Sequence, residues 1–292
     1  MFTKEISFKK ILFLLILLCF SITSTHLSQQ LKADSYTKQT EIFQEVFQPH
    51  ELVENMKLYK KKLDIWHAGD PLAHSIWVAK AISMWFDQEY HWCKGINKSD
   101  LDTAVLGGFL HDIGKFGDLS FNFVVKPNHC IDGFNYLTDK TTYFVDNYKT
   151  FNFTKFFDQL NIPKENQKII AIFAGIHWGY GCIDKGQKSG EETQVLYKDF
   201  FDQLLKLVKI TNYNDGKLDE RIARLSILIN VADIRGIQPV EYPCPILEKL
   251  LNIKDPDSIA IHKGMDAYER FQCESKGKKR KDELLEYYHK HF

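Results

Sequence analysis

Ala104-Val105-Leu106-Gly107-Gly108-Phe109-Leu110-His111-Asp112-Ile113-Gly114-Lys115 runs an apolar segment directly into a histidine–aspartate pair. The seven residues before His111 have the composition of a core helix. A carboxylate at the end of such a helix is costly to bury without a partner, and a bound cation is one way to stabilise it there. His-Asp dipeptides are common, so the pair gains weight only from its companions. Ser99 followed by Asp102 resembles a capping box that would start this helix. Gly114, Gly117 and Pro127 break the region after His111 into turns.

Working outward, the rest of the chain is patterned for helices. Apolar residues recur at helical spacing near 50–63, 71–90, 100–111, 164–177, 194–209, 218–234, 245–252 and 258–272. Within 218–234, Ile222, Leu225, Ile229 and Ala232 recur at steps of three and four, which buries one face and sets Asp233 at its inner edge. No alternating strand series, internal repeat or composition break is visible. The expectation is a single all-α domain over about 35–292, a helical bundle. Lys185 to Glu192 reads as a surface loop, and the basic run Lys276 to Lys281 as solvated surface.

The first residues are set apart. Lys4, Lys9 and Lys10 precede the unbroken apolar run Ile11 to Phe20 and the small polar stretch Ser21 to Thr25. This is the pattern of a secretory signal peptide over 1–28, or of a signal anchor if it is not cleaved. The run is short of the roughly 20 apolar residues of a comfortable membrane span. It implies a secreted, periplasmic or secretory-lumen location, with membrane anchoring as the alternative. The 292 residues carry 38 basic and 38 acidic side chains, and removing the segment leaves the remainder near −2. Neither balance suggests a nucleic-acid partner held by bulk charge. Cys93, Cys130, Cys182, Cys244 and Cys273 then remain; an odd number at scattered spacing reads as buried thiols with at most one or two bridges. Asn97-Lys98-Ser99 and Asn152-Phe153-Thr154 are glycosylation sequons, relevant only in a eukaryotic host.

From about residue 70 to 236 the chain resembles the HD superfamily of metal-dependent phosphohydrolases. His74, in Leu72-Ala73-His74-Ser75-Ile76-Trp77, looks like that family's first histidine. His111-Asp112-Ile113-Gly114-Lys115 looks like its signature, and Asp233, in Asn230-Val231-Ala232-Asp233, like its closing aspartate. His129-Cys130-Ile131-Asp132-Gly133 is similar to the His-x-x-x-Gly helix start of the dinuclear branch. His177, at a helix end in Ala174-Gly175-Ile176-His177-Trp178-Gly179-Tyr180-Gly181, is similar to that branch's next histidine element. The resemblance implies an all-α HD domain with two metal ions. Asp112 would bridge them; His74, His111 and Asp233 would hold one, His129 and His177 the other. Such ligands accept Fe, Mn, Zn, Ni or Co. His67, one heptad before His74, is a rival for the first histidine but suits a surface or supporting place better. His50, His91, His262, His289 and His291 have no companion pattern and are expected at the surface.

The activity implied is hydrolysis of a nucleotide or small phosphate ester by water activated at the metals. Asp112 would position the ions. Lys115 would offer charge to the substrate phosphate, with Arg235 in reach of the same task and Trp178 and Tyr180 as pocket walls. The family's cyclic-dinucleotide branch carries Gly-Tyr-Pro after a histidine pair; here Gly179-Tyr180-Gly181 follows a single histidine, which argues against that substrate. A smaller branch uses the same ligand string on two irons to cleave C–C or C–P bonds with O2. A degenerate binding module is the third reading, and the filled ligand positions speak against it.

Overall fold

The computed structural model describes residues 44–58, 70–88, 93, 96–116, 129–138, 143–146, 149–185, 191–253 and 281–292. Within these, the side chains of 144, 146, 178–185 and 191–195 are outside the description. The chain divides into two units, Met1–Gln44 and Glu45–Phe292. The signal or anchor segment, His67, His91, His262, Gly117, Pro127, Cys273 and the helix expected over 258–272 all lie outside the described residues. Among the described residues no helix is long and apolar enough to cross a membrane.

The second unit is mostly helical. Its helices are α1 (Pro49–Leu58), α2 (Pro71–Asp87), α3 (Leu101–Leu110), α4 (His129–Leu137), α5 (Phe153–Gln159), α6 (Lys164–Lys185), α7 (Glu191–Thr211), α8 (Glu220–Arg235) and α9 (Pro245–Leu251). A last helical stretch covers 281–291. The starts follow from local chemistry. Asp70 accepts from the Ala73 N–H at 2.8 Å with Pro71 in the first turn, and Asp219 accepts from the Ile222 N–H at 2.8 Å. Asn152, the second sequon asparagine, caps α5 through the Lys155 N–H at 2.9 Å.

Helix α6 lies at the centre. It packs against α3, α4, α7 and α8, while α2 packs against α3 and α8. Ile169 through Ala174 on α6, Ala104, Val105, Leu106, Phe109 and Leu110 on α3, and Ile222, Leu225 and Ile229 on α8 have essentially no exposed surface. Burial of this kind is the main favourable term for the fold. A polar network crosses the same helices. Arg221 on α8 donates to the buried Asp100 carboxylate at 2.7 Å and to Asn166 at 3.1 Å, and Asn166 donates to Thr103 at 2.7 Å.

Several expectations need correction. Ser99 and Asp102 form no capping box. A 3-10 turn, Lys98–Asp100, leads into α3, and Asp100 takes the N-cap position without a side-chain cap because its carboxylate turns inward to Arg221. A small sheet is present, with strands β1 (Gln44–Val46), β2 (Tyr143–Asp146) and β3 (Lys149–Phe151) in the order β1-β3-β2. Strands β2 and β3 are antiparallel, with Tyr143 opposite Phe151. Three or four residues are too few to display a period-2 pattern. Helix α6 continues past His177 to Lys185, so His177 is inside a helix and does not end one. Of the expected loop Lys185 to Glu192, Lys185 closes α6 and Glu191 opens α7, while 186–190 lie outside the described residues. Of the basic run, Lys281 is buried and sits 3.6 Å from Asp282, which is not a solvated position. His50, His289 and His291 are exposed, as expected.

Candidate metal centre

Four helices and one turn converge on a single buried group. His74 comes from the first turns of α2, His111 and Asp112 from the turn that follows α3, His129 from the start of α4, His177 from α6 and Asp233 from the end of α8. The four histidines and Asp112 are all buried; Asp233 keeps about a quarter of its side chain, 24 %, exposed. The six side chains expected to act together are therefore together.

The geometry follows from how α3 ends. The helix stops at Leu110, and Asp112 takes φ −97°, ψ 13°, the sparsely populated bridge conformation. A 3-10 turn, Ile113–Lys115, follows, with the Lys115 N–H donating to the Asp112 carbonyl at 2.8 Å. The turn brings Lys115 Nζ within 2.5 Å of Asp112 Oδ2. It also packs against α4. At this contact a Cβ on Gly114 would stand 1.9 Å from the His129 carbonyl oxygen, so only glycine lets the turn approach so closely.

Three of the histidines are oriented by backbone carbonyls, which can only accept. His74 Nδ1 donates to Gly236 at 3.0 Å, His111 Nδ1 to Gly108 at 2.7 Å and His177 Nδ1 to Ala174 at 2.9 Å. Each therefore turns Nε2 inward, the arrangement that supports metal-binding imidazoles. His74 and His111 then face each other Nε2 to Nε2 at 3.2 Å with Nδ1 already the donor on both rings. Two lone pairs aimed at one point call for a proton or a cation between them.

Asp112 divides the group in two. Its Oδ2 faces His111 Nε2 at 3.6 Å and His74 Nε2 at 3.7 Å, and Asp233 Oδ1 lies 2.8 Å from His74 and 3.4 Å from His111. Its Oδ1 faces the other side, 3.1 Å from His177 Nε2 and 3.5 Å from His129 Nε2. His129 and His177 are 3.1 Å apart through Nε2. Ligand atoms about 2.0–2.2 Å from a tetrahedral ion are separated from one another by roughly 3.3–3.6 Å. The observed separations, 2.8–3.7 Å, lie around that scale on both sides, so these buried His and Asp groups could hold a metal ion.

The charges are consistent with a site made for a cation. Burial pushes the Asp112 and Asp233 carboxyls up, but Lys115, His111 and His177 around the first, and His111 and His74 around the second, outweigh it and hold both well below the usual range. Burial lowers His111, and its acidic neighbours only partly offset that. Burial also works against the charged form of His177, yet Cys130 and Asp112 raise it well above the ordinary imidazole value. An ion needs His177 neutral, so metal uptake at pH 7 displaces its proton. We expect titration of the metal-free protein in weak buffer to acidify the solution. Affinity should rise by about tenfold per pH unit for each proton displaced, up to the His177 pKa. A pH-independent affinity between pH 6 and 8 would contradict this assignment.

Arg235 is half-buried and donates to the Pro239 carbonyl at 3.4 Å. Trp178 and Tyr180 lie on α6, but their side chains are outside the described residues. One residue of the centre was missed as a site residue. Cys130 Sγ is 3.6 Å from both His129 Nε2 and His177 Nε2. The thiol is pushed up by burial, but His177 and His129 outweigh that and bring it down to about 6. The only sequence signal was its place next to His129. Adjacent residues on a helix point about 100° apart, so adjacency does not imply convergence. Cys93 and Cys244 are also unbridged and are buried in the core, as expected of structural thiols. Comparison with known proteins finds no matching family model, no matching curated protein and no matching solved structure, so the case for this centre rests on its own geometry.

Proposed function

We propose that the chain is a metal-dependent phosphohydrolase of the HD type, acting on a nucleotide or small phosphate ester. The observation that carries the reading is the division at Asp112, whose two buried oxygens face separate pairs of inward-turned histidines. His74, His111 and Asp233 would hold one ion, His129 and His177 the second, with Asp112 between them. When bound, such ions supply an activated water and neutralise charge on a phosphoryl group.

The chain's own residues have definite tasks in this reading. The carbonyls of Gly236, Gly108 and Ala174 fix the imidazole orientations before any ligand arrives, so little reorganisation accompanies binding. Lys115 keeps 20 % of its side chain exposed beside Asp112, so its ammonium can turn from the carboxylate toward a phosphate oxygen. Its affinity for a proton is raised by Asp112 despite burial, so it stays cationic at neutral pH.

The test joins a metal count to a substrate panel. Protein loaded under anaerobic conditions should hold two transition-metal ions per chain and release phosphate from phosphomonoesters, phosphodiesters or nucleotides, and chelation should stop the release. Oxygen uptake with inositol-like or phosphonate substrates, without phosphate release from any ester, would replace this reading with the diiron oxygenase. No bound metal and no effect of chelator on stability would leave a binding module.

A further inference from the structure

We propose that Cys130 supplies a thiolate ligand to the second ion, so that the two metal positions differ in chemistry. The proposal deepens the two-ion reading above and rests on it. Three donors, His129 Nε2, His177 Nε2 and Cys130 Sγ, lie within 4.8 Å of one another and form a separate group from His74, His111 and Asp112. The two sulfur–nitrogen separations are equal at 3.6 Å, and the nitrogen–nitrogen separation is shorter at 3.1 Å. That inequality is what a tetrahedral ion requires. With bonds of about 2.3 Å to sulfur and about 2.0–2.1 Å to nitrogen, the sulfur edges come to roughly 3.6 Å and the nitrogen edge to roughly 3.3 Å.

Two further observations point the same way. Asp112 Oδ1 is fully buried beside the same two imidazoles, 3.1 Å from His177 Nε2 and 3.5 Å from His129 Nε2. The start of α4 also directs Cys130 inward while its neighbour Ile131 is 58 % exposed. Cys93 and Cys244 are buried as part of the hydrophobic core, whereas Cys130 is set against two imidazole nitrogens.

The consequence is selectivity. The His74 side offers imidazole and carboxylate donors only, which suit Fe, Mn, Co or Zn. A thiolate on the other side favours Zn(II), Co(II) or Fe(II) and disfavours Mn(II) and Mg(II). The centre is then asymmetric, with a sulfur-bearing position that keeps its ion when the other exchanges.

The test uses the full chain reconstituted with Co(II). Wild-type protein should bind two ions and show a sulfur-to-cobalt charge-transfer absorption in the near ultraviolet. Cys130→Ser should abolish that absorption, weaken the second ion by at least about 100-fold and leave one ion bound, whereas Cys93→Ser should change neither readout. Should Cys130→Ser fold poorly, alkylation of the wild-type chain decides the matter. Peptide mapping should find Cys130 labelled in metal-free protein and protected after metal loading. Two ions without the charge-transfer absorption, or labelling of Cys130 undiminished by metal, overturns the cysteine ligand and leaves the two-ion reading intact. No ion bound by the wild-type chain overturns both. A single ion that carries the absorption supports the cysteine ligand and overturns the two-ion reading.

Discussion

Asp112→Asn should leave the protein folded, strip it of both ions and lower turnover by more than about 100-fold, beyond the usual loss from residues that merely support a ligand. The expectation follows from the two faces of one carboxylate. Oδ2 stands 3.6 and 3.7 Å from His111 and His74, and Oδ1 stands 3.1 and 3.5 Å from His177 and His129. An asparagine of the same shape keeps at most one acceptor and turns an N–H₂ group toward the other pair of nitrogens. It also removes the negative charge that faces Lys115 and would face any bound ion. The backbone of the turn is unaffected by the exchange, since the Asp112 carbonyl and not its side chain accepts from the Lys115 N–H. The metal-free variant should melt below the metal-free parent, because removing one partner of a buried pair leaves the Lys115 charge without its carboxylate. Metal analysis, calorimetric titration and thermal melts check the three parts. His177→Ala is the companion variant and should lose one ion only. Retention of both ions by Asp112→Asn would remove the bridging role.

Gly114→Ala tests the scaffold and not a ligand. The added methyl would meet the His129 carbonyl oxygen at 1.9 Å, the Gly133 nitrogen at 2.7 Å and the His129 carbonyl carbon at 2.8 Å. All three are backbone atoms in the first turns of α4, so no side-chain rotation relieves the contact. Overpacking ordinarily costs about 1–3 kcal/mol, and a clash with backbone belongs at or above the upper end. For a unit of this size about 3 kcal/mol lowers the melting temperature by roughly 6–12 °C. The turn and α4 have to separate, and His129 moves with α4. The second ion should weaken more than the first, since His74 and Asp233 sit on α2 and α8, away from this contact. A melting temperature within about 2 °C of the parent, with both ions bound, would refute the close approach.

Much of this centre is legible in the sequence, for a physical reason. A ligand at the buried end of a helix leaves a local mark, because a histidine or carboxylate then interrupts an apolar period. Such interruptions at His74, His111-Asp112 and Asp233 are visible without any tertiary information, and so is the helical character of α2, α3, α6, α7 and α8. The glycine after Asp112-Ile113 is visible too, although its reason, the His129 carbonyl, belongs to a helix fifteen positions away. The capping box failed because local propensity at Ser99 is overruled by a distant charge, Arg221, that draws Asp100 inward. The strands were missed because a segment of three or four residues carries too little pattern to register.

What only the tertiary structure decided is which donors stand together. Sequence order gives six ligand candidates in a row and says nothing of the partition. That partition comes from packing: α2 and α3 bring His74 and His111 to one oxygen of Asp112, α8 sets Asp233 against the same two histidines, and α4 and α6 bring His129 and His177 to the other oxygen. The same packing places the Cys130 sulfur beside two imidazoles, a convergence no spacing rule predicts because its partner His177 is forty-seven residues away. The sequence by itself pointed to a buried carboxylate–imidazole group, since burying such residues singly among apolar helices is costly. The fold alone determined its shape, because distances between helices are set by side-chain packing and not by position along the chain.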